Sequence, residues 1–297
     1  MTSQPPNTVL DPRLNAYRPD LAAEHLKGRI EAQHYVPGSR HQVRRPLVPM
    51  RQRPDTSAPI INEAIYGEVV WVYEQKDGWA WCQLDRDEYV GYVPSTMLSP
   101  DLLPPTHRVA ALGTFVYRRS DIKSEPVMQL PLNAAVTVTG TEDRFYALAG
   151  GGFLISRHVV EISRYTRDFV QLAERLIDTP YLWGGRSRFG IDCSGLVQLS
   201  MEAAGLPCPR DSDMQAGAIG AEMPVREDLE GLQRGDLVFW PGHVGIMVDG
   251  VMLVHANAHH MVVIAEPLVT AARRIERAGS RISRIRRPPA LAASAIS

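Results

Sequence analysis

Between about Val43 and Val160 short β-type runs alternate with Gly, Pro, Asp and Asn. Residues of that kind mark tight turns, and strands this short suit a small, partly open barrel. A weak internal repeat runs through the region. Pro59, Val70 and Asp77-Gly78-Trp79 recur 66 or 67 residues later as Pro126, Val136 and Asp143-Arg144-Phe145. Gly91-Tyr92 recurs as Gly152-Phe153 at an offset of 61, so the first copy is about five residues longer, near Asp85 to Tyr89. Two small barrels in tandem are expected, over residues 41–103 and 104–163, behind an N-terminal segment of residues 1–40.

That N-terminal segment holds one helical candidate, Asp20 to Ile30, with Asp20 as its cap and Gly28 weakening its end. After Tyr165 the periodicity becomes helical. Thr166 is the expected cap of a helix with Phe169, Ala173 and Leu176 on one face, and Asp178-Thr-Pro180 stops it. A second helix is expected from Cys193 or Ser194, carrying Val197, Met201 and Ala204, and ending at Gly205 and Pro207. Strand-like runs follow at 237–240, 243–248, 252–255 and 261–264, an α+β arrangement over residues 164–288 with a frayed tail at 289–297.

Charge is nearly balanced, with 32 Lys+Arg against 33 Asp+Glu among 297 residues. No long run of like charge accompanies it, so a nucleic-acid or anionic-membrane surface is not implied. No stretch has the length of a transmembrane helix. The opening residues are polar and proline-rich, without a basic stretch leading into an apolar one, so a cytoplasmic protein is expected. Cys82, Cys193 and Cys208 are odd in number and form no CxxC pair, which argues against a disulfide framework or a zinc cluster. His255 and His259 lack a third ligand at sensible spacing, so neither metal nor cofactor is expected.

Cys193 lies in Gly190-Ile-Asp-Cys-Ser-Gly-Leu-Val197, where a glycine-containing loop enters an amphipathic helix. A thiol there feels the positive end of the helix dipole, which favours the thiolate, and the free N–H groups can receive an oxyanion. A thiol nucleophile also needs a base. His243 opens a strand after a Pro-Gly turn and His255 closes the next, so a hairpin would set them side by side, one to meet the thiol and one to orient it. Cys82 and Cys208 have no base placed near them and read as structural; Trp240 reads as packing.

Asp192-Cys-Ser-Gly-Leu-Val197, Gly242-His-Val-Gly245 and His255, in that order, resemble the NlpC-type papain-like cell-wall peptidases. Tyr181-Leu-Trp-Gly-Gly185, Pro209-Arg-Asp-Ser212 and Gly235-Asp236-Leu237 extend the resemblance over about residues 165 to 285. The aromatic and Gly-aromatic-Val-Pro pattern in front is similar to bacterial SH3-like domains. The resemblance implies two SH3-like β-barrels followed by an α+β papain-like catalytic domain, closest to γ-D-glutamyl-L-diamino acid endopeptidases.

It further implies Cys193 as nucleophile, His243 as general base and acid, His255 as orienting residue and Tyr181 as an oxyanion donor. Asp192 and Ser194 would bind substrate, with Trp183 and Asp211 beside them in the same motifs. Arg210 and Ser212 would take the free α-carboxylate of D-Glu. Tyr89 of the first barrel would close the pocket over a free amino end, with Asp192, and secondarily Glu63 or Glu68, pairing with the ammonium. The implied partner is a small murein peptide, L-Ala-γ-D-Glu-diamino acid, met in recycling. Two other functions stand beside it: a thiol amidase or acyltransferase of the same fold, and a wall-binding protein whose SH3-like modules attach to polymer.

Overall fold

The structure, a computed structural model, describes residues 10–289, so most of the tail expected at 289–297 lies outside the described residues. The repeat region forms two sheet systems with the same strand order. In the first, strands run 60–65, 47–51, 90–94, 79–84, 69–76, 39–43 and 98–99 across the sheet. In the second, 126–131, 113–117, 153–155, 145–148 and 138–142 follow that order, and 107–109 pairs with 135–136 and 159–161. Asp77 and Asp143, matched by the sequence repeat, hold positive φ angles of 51° and 52°, so both copies reverse the chain at the same left-handed turn. The five extra residues of the first copy lengthen the hairpin between 79–84 and 90–94. Its tip carries Asp87 and Tyr89 away from the sheet and onto the C-terminal part of the chain.

The N-terminal segment departs from expectation. Leu21–Ala23 is a strand paired in parallel with His34–Val36, and only one 3₁₀ turn, Glu24–Leu26, is helical. A stretch this short makes a marginal helix alone. Here Leu21, Ala23 and Leu26 bury instead against Trp81 and Val90 of the first module, and Gly28 turns the chain at φ 83°.

The C-terminal domain is a six-stranded sheet in the order 221–223, 284–287, 237–240, 243–247, 252–257 and 262–267. Helix α1, Phe169–Glu174, is capped by Asp168 rather than Thr166: the Asp168 carboxylate accepts the N–H groups of Val170 and Gln171. Thr166 instead donates its backbone N–H to Ala203. Helix α2, Cys193–Ala203, begins where the sequence places it. Helices α3, Ser212–Ala218, and α4, Leu268–Arg277, and the strand 284–287 were not legible from periodicity.

Period-two alternation gives this sheet two apolar faces. Leu237, Phe239, Val244, Ile246, Val254 and Ala256 pack toward α1 and α2, while Val238, Trp240, Met247 and Leu253 pack toward α4. The α2 face is continuous with the core of the second module through Val109, Leu132 and Val159. The first module reaches the same cluster through Ile65 and Tyr66 and adds polar contacts: buried Arg186 donates to the Glu63 carbonyl and pairs with Glu68 and Glu202, and Asp87 accepts from Gln198 on α2. Among the described residues no helix is long and apolar enough to cross a membrane.

Leu196, fully buried on α2, sits at the centre of the shared core. Leu196→Ala is expected to cost about 2–5 kcal/mol, read as a lower urea midpoint with the slope unchanged.

Candidate active site

Cys193 is the first residue of α2, and Asp192 is its N-cap. The Asp192 carboxylate accepts the Gly195 N–H at 2.7 Å and the Gly184 N–H at 2.8 Å, tying the helix start to the preceding turn. Backbone meets backbone there: a Cβ on Gly195 would lie 2.4 Å from the Gly185 carbonyl oxygen, so only glycine fits.

Arg210 does not face the cleft. It is 1% exposed and its guanidinium points inward, onto both oxygens of Asp192 (3.0 and 2.6 Å), the Ser194 hydroxyl (2.8 Å) and the Asn62 side-chain oxygen of the first module (2.9 Å). The expected carboxylate fork is thus already filled by Asp192. Burial works against the charge, but the Asp192 carboxylate outweighs it and raises the guanidinium pKa. Ser194 is buried in the same knot, donating to Asp192 at 3.3 Å.

The hairpin brings the two histidines together: His243 Nε2 lies 2.8 Å from His255 Nδ1. His255 Nε2 lies 2.8 Å from Glu266, which Arg274 clamps through both oxygens at 2.5 and 2.6 Å. Burial pushes the Glu266 pKa up, yet His255 and Arg274 bring it down to about 2, so it is ionised and can only accept. His255 therefore carries its proton on Nε2, even though the Asn257 amide nitrogen also lies 3.0 Å away. His255 Nδ1 is then an acceptor and His243 donates to it from Nε2. The Nδ1 lone pair of His243 is left free, the tautomer a general base requires. Sequence reading missed Glu266 and Arg274, because no motif ties them to the histidines.

The resting charge state differs from expectation. Burial, aided by the neighbouring Asp192 carboxylate, pushes the Cys193 thiol up to about 12 against the pull of the helix start. Burial likewise brings His243 down to about 3, with His255 and Arg274 adding to it. Both shifts favour the neutral thiol and the neutral imidazole.

Beside Cys193 lies a cavity of about 270 Å³ lined by Tyr89, Tyr181, Trp183, Asp192, Ser194, Asp211 and Ser212, with Ile61, Gly242 and Arg13. Tyr181 is held by its N–H to the Met261 carbonyl, and Trp183 is 64% exposed at the rim. Tyr89 donates to Asp211 at 3.0 Å, so the first module does reach this wall. Arg13, which sequence reading also missed, pairs with Asp211 (2.8 Å) and Asp213 (2.7 Å). Glu63 is buried behind the wall on the Arg186 N–H and does not line the cavity. Glu68 lies elsewhere, paired with Arg86 and Arg186. Cys82 is buried in the first module's core, and Cys208 is buried near Gln198.

A thiol at a helix start, an imidazole whose outward nitrogen keeps a free lone pair, and a cavity beside the thiol define a cysteine hydrolase of the papain-like type. Comparison with known proteins gives the family: residues 178–273 match the NlpC/P60 family and residues 50–98 match the bacterial dipeptidyl-peptidase SH3 domain. The chain thus carries an NlpC/P60 cysteine-peptidase domain with a bacterial SH3-like domain in front of it. It is 29% identical to dipeptidyl-peptidase 6 of Lysinibacillus sphaericus, over 69% of this chain and 82% of that one. It is 27% identical to the γ-D-glutamyl-L-lysine dipeptidyl-peptidase of Bacillus subtilis, over 68% of this chain and 73% of that one. In fold it is similar to the crystal structure of an NlpC/P60 family protein from Bacillus cereus, with a TM-score of 0.69 at 20% identity, covering 84% of this chain and 99% of that one.

Alkylation of Cys193 by iodoacetamide in the substrate-free protein is expected to climb with pH to 9 and beyond, followed by mass spectrometry of the labelled peptide. A plateau already reached near neutral pH would instead mean a preformed thiolate–imidazolium pair.

Proposed function

We propose that this protein hydrolyses the amide between γ-linked D-glutamate and the diamino acid of murein peptides whose L-alanine amino end is free. The observation that carries the reading is the cavity wall beside Cys193, where Tyr89 of the first module meets Asp211. A wall from another module blocks any continuation of substrate past its amino end. Asp211, whose pKa burial raises, is a carboxylate that an arriving ammonium would stabilise. The relatives named as γ-D-glutamyl-L-lysine dipeptidyl-peptidase and dipeptidyl-peptidase support the same substrate class.

In the proposed mechanism His243 Nδ1 takes the thiol proton as the sulfur of Cys193 adds to the γ-carbonyl carbon. The oxyanion is received by the Cys193 backbone N–H, which has no intrahelical acceptor at the first position of α2, and by the Tyr181 hydroxyl. His243 then protonates the leaving amine of the diamino acid. A thioester remains on Cys193. Water, deprotonated by His243, attacks it; the acid leaves and the thiol regains its proton. His255 and Glu266 hold the imidazole in place and stabilise the imidazolium formed in each half. Ser194 and Ser212 flank the D-glutamyl α-carboxylate, and Arg210 acts behind them by holding Asp192 and Ser194. We place the reaction in the cytoplasm, in the recycling of soluble wall peptides; the closed amino end and the three unpaired cysteines support that reading.

Incubation with L-Ala-γ-D-Glu-meso-diaminopimelate, and with the same peptide carrying N-acetylmuramic acid on its alanine, tests the proposal by mass spectrometry. Cleavage of the free peptide alone, abolished in Cys193→Ala, is expected. Equal cleavage of both would point to remodelling of intact murein, and cleavage of neither would return the thiol to amidase or acyltransferase chemistry.

Arg13 makes a finer prediction. Arg13→Ala takes off Asp211 the guanidinium that competes with the substrate ammonium, and should lower KM for the free peptide about 10-fold, with kcat nearly unchanged. An equal fall in kcat would place Arg13 in the chemistry rather than in the binding wall.

A further inference from the structure

A second cavity, of about 520 Å³, lies at the junction of the second module and the peptidase domain, separate from the cleft. Four arginines line it: Arg108 on strand 107–109, Arg157 in the turn before strand 159–161, Arg164 in the linker, and Arg175 closing α1. No carboxylate is among its lining residues. The other two buried arginines among the described residues, Arg186 and Arg210, each pair with an acid. None of these four has a carboxylate partner among the described residues.

Arg108 is the most telling member. It is only 7% exposed, and its guanidinium is held by neutral groups alone: the Asn133 side chain and the carbonyls of Arg164 and Ala203. Its Nε is buried without a partner. The Tyr165 ring covers its face, with the guanidinium carbon 5.1 Å from the ring centroid. Burial lowers its pKa, the mark of a cation without a counter-charge. A buried charge left unpaired is costly, and so is crowding four like charges around one cavity; an anion relieves both.

We propose that this junction cavity binds a small, multiply charged phosphate compound, held between the second module and the peptidase domain. Phosphate suits the site because one group offers several acceptor oxygens to planar guanidinium forks and carries up to two charges. Tyr165, Thr166 and Gln171 on the same wall supply a ring face and neutral polar atoms for whatever the phosphate is attached to. The cations come from both domains, so a bound anion draws them together.

The test is calorimetric titration of the full-length protein at low ionic strength with inorganic pyrophosphate and with fructose 1,6-bisphosphate. Both probes carry the shared chemistry, one as a free oxyanion and one as an ester. Saturable 1:1 binding is expected, weakened at least about 10-fold in the double variant Arg157→Glu, Arg175→Glu and falling as salt is raised. Both of these arginines are exposed and make no structural bond described above, and a thermal melt confirms that the variant is folded. Tighter binding of the bisphosphate identifies an ester as the ligand; tighter or equal binding of pyrophosphate identifies the free anion. Absence of saturable binding by either probe, or binding that survives the double charge reversal, overturns the proposal. Peptide cleavage plays no part in the readout, so this site and the peptidase substrate succeed or fail separately.

Discussion

The buried pair between Asp192 and Arg210 is the interaction on which the rest of the site depends. One carboxylate caps α2, anchors the Gly184 turn and satisfies a guanidinium that also reaches Ser194 and Asn62. Four separate parts of the chain are fixed by it: the helix that presents the thiol, the Gly184 turn before it, the loop after that helix, and a strand of the first module. Two charges buried together are a poor source of net stability. They are nevertheless directional, and removing either leaves the other uncompensated in the interior. The role left for Arg210 is to position, because its donors are spent before any substrate arrives.

The same burial sets the chemistry. A helix start favours a thiolate, but burial and the Asp192 carboxylate outweigh it and push the thiol pKa up. Burial also pushes the His243 pKa down. The chain answers with a relay of fixed protons: ionised Glu266 selects the His255 tautomer, His255 selects the His243 tautomer, and the free lone pair ends on His243 Nδ1. Substrate then meets a base that is correctly protonated before it binds. Arg274 keeps the far end of the relay ionised, on a helix that faces away from the cleft.

The modules in front of the peptidase domain are not tethers. The lengthened hairpin of the first module delivers Asp87 to α2 and Tyr89 to Asp211, while the N-terminal segment, laid over that module, delivers Arg13 to the same carboxylate. The second module, whose hairpin is shorter, shares its apolar core with α1 and α2 instead. Two copies of one strand order have thus been put to different use, one to build a cavity wall and one to weld the domain together.

The sequence by itself determined the tandem repeat, the start of α2 at Cys193 or Ser194, the four central strands and the order Cys193, His243, His255. Each of these rests on local periodicity, turn chemistry or a short motif, which neighbouring residues carry among themselves. Even the five-residue excess near Tyr89 was visible as a change of offset. Tertiary structure alone decided the rest. Asp20 to Ile30 became strand and turn because Trp81 and Val90 offered a surface to cover. Arg210 turned inward because Asp192 lay within reach, and the thiol pKa rose because folding buried it beside the Asp192 carboxylate. Glu266, Arg274 and Arg13 joined the site from positions 11, 8 and 198 residues from their partners. Burial and long-range pairing depend on what the folded chain brings together, and no local pattern encodes that.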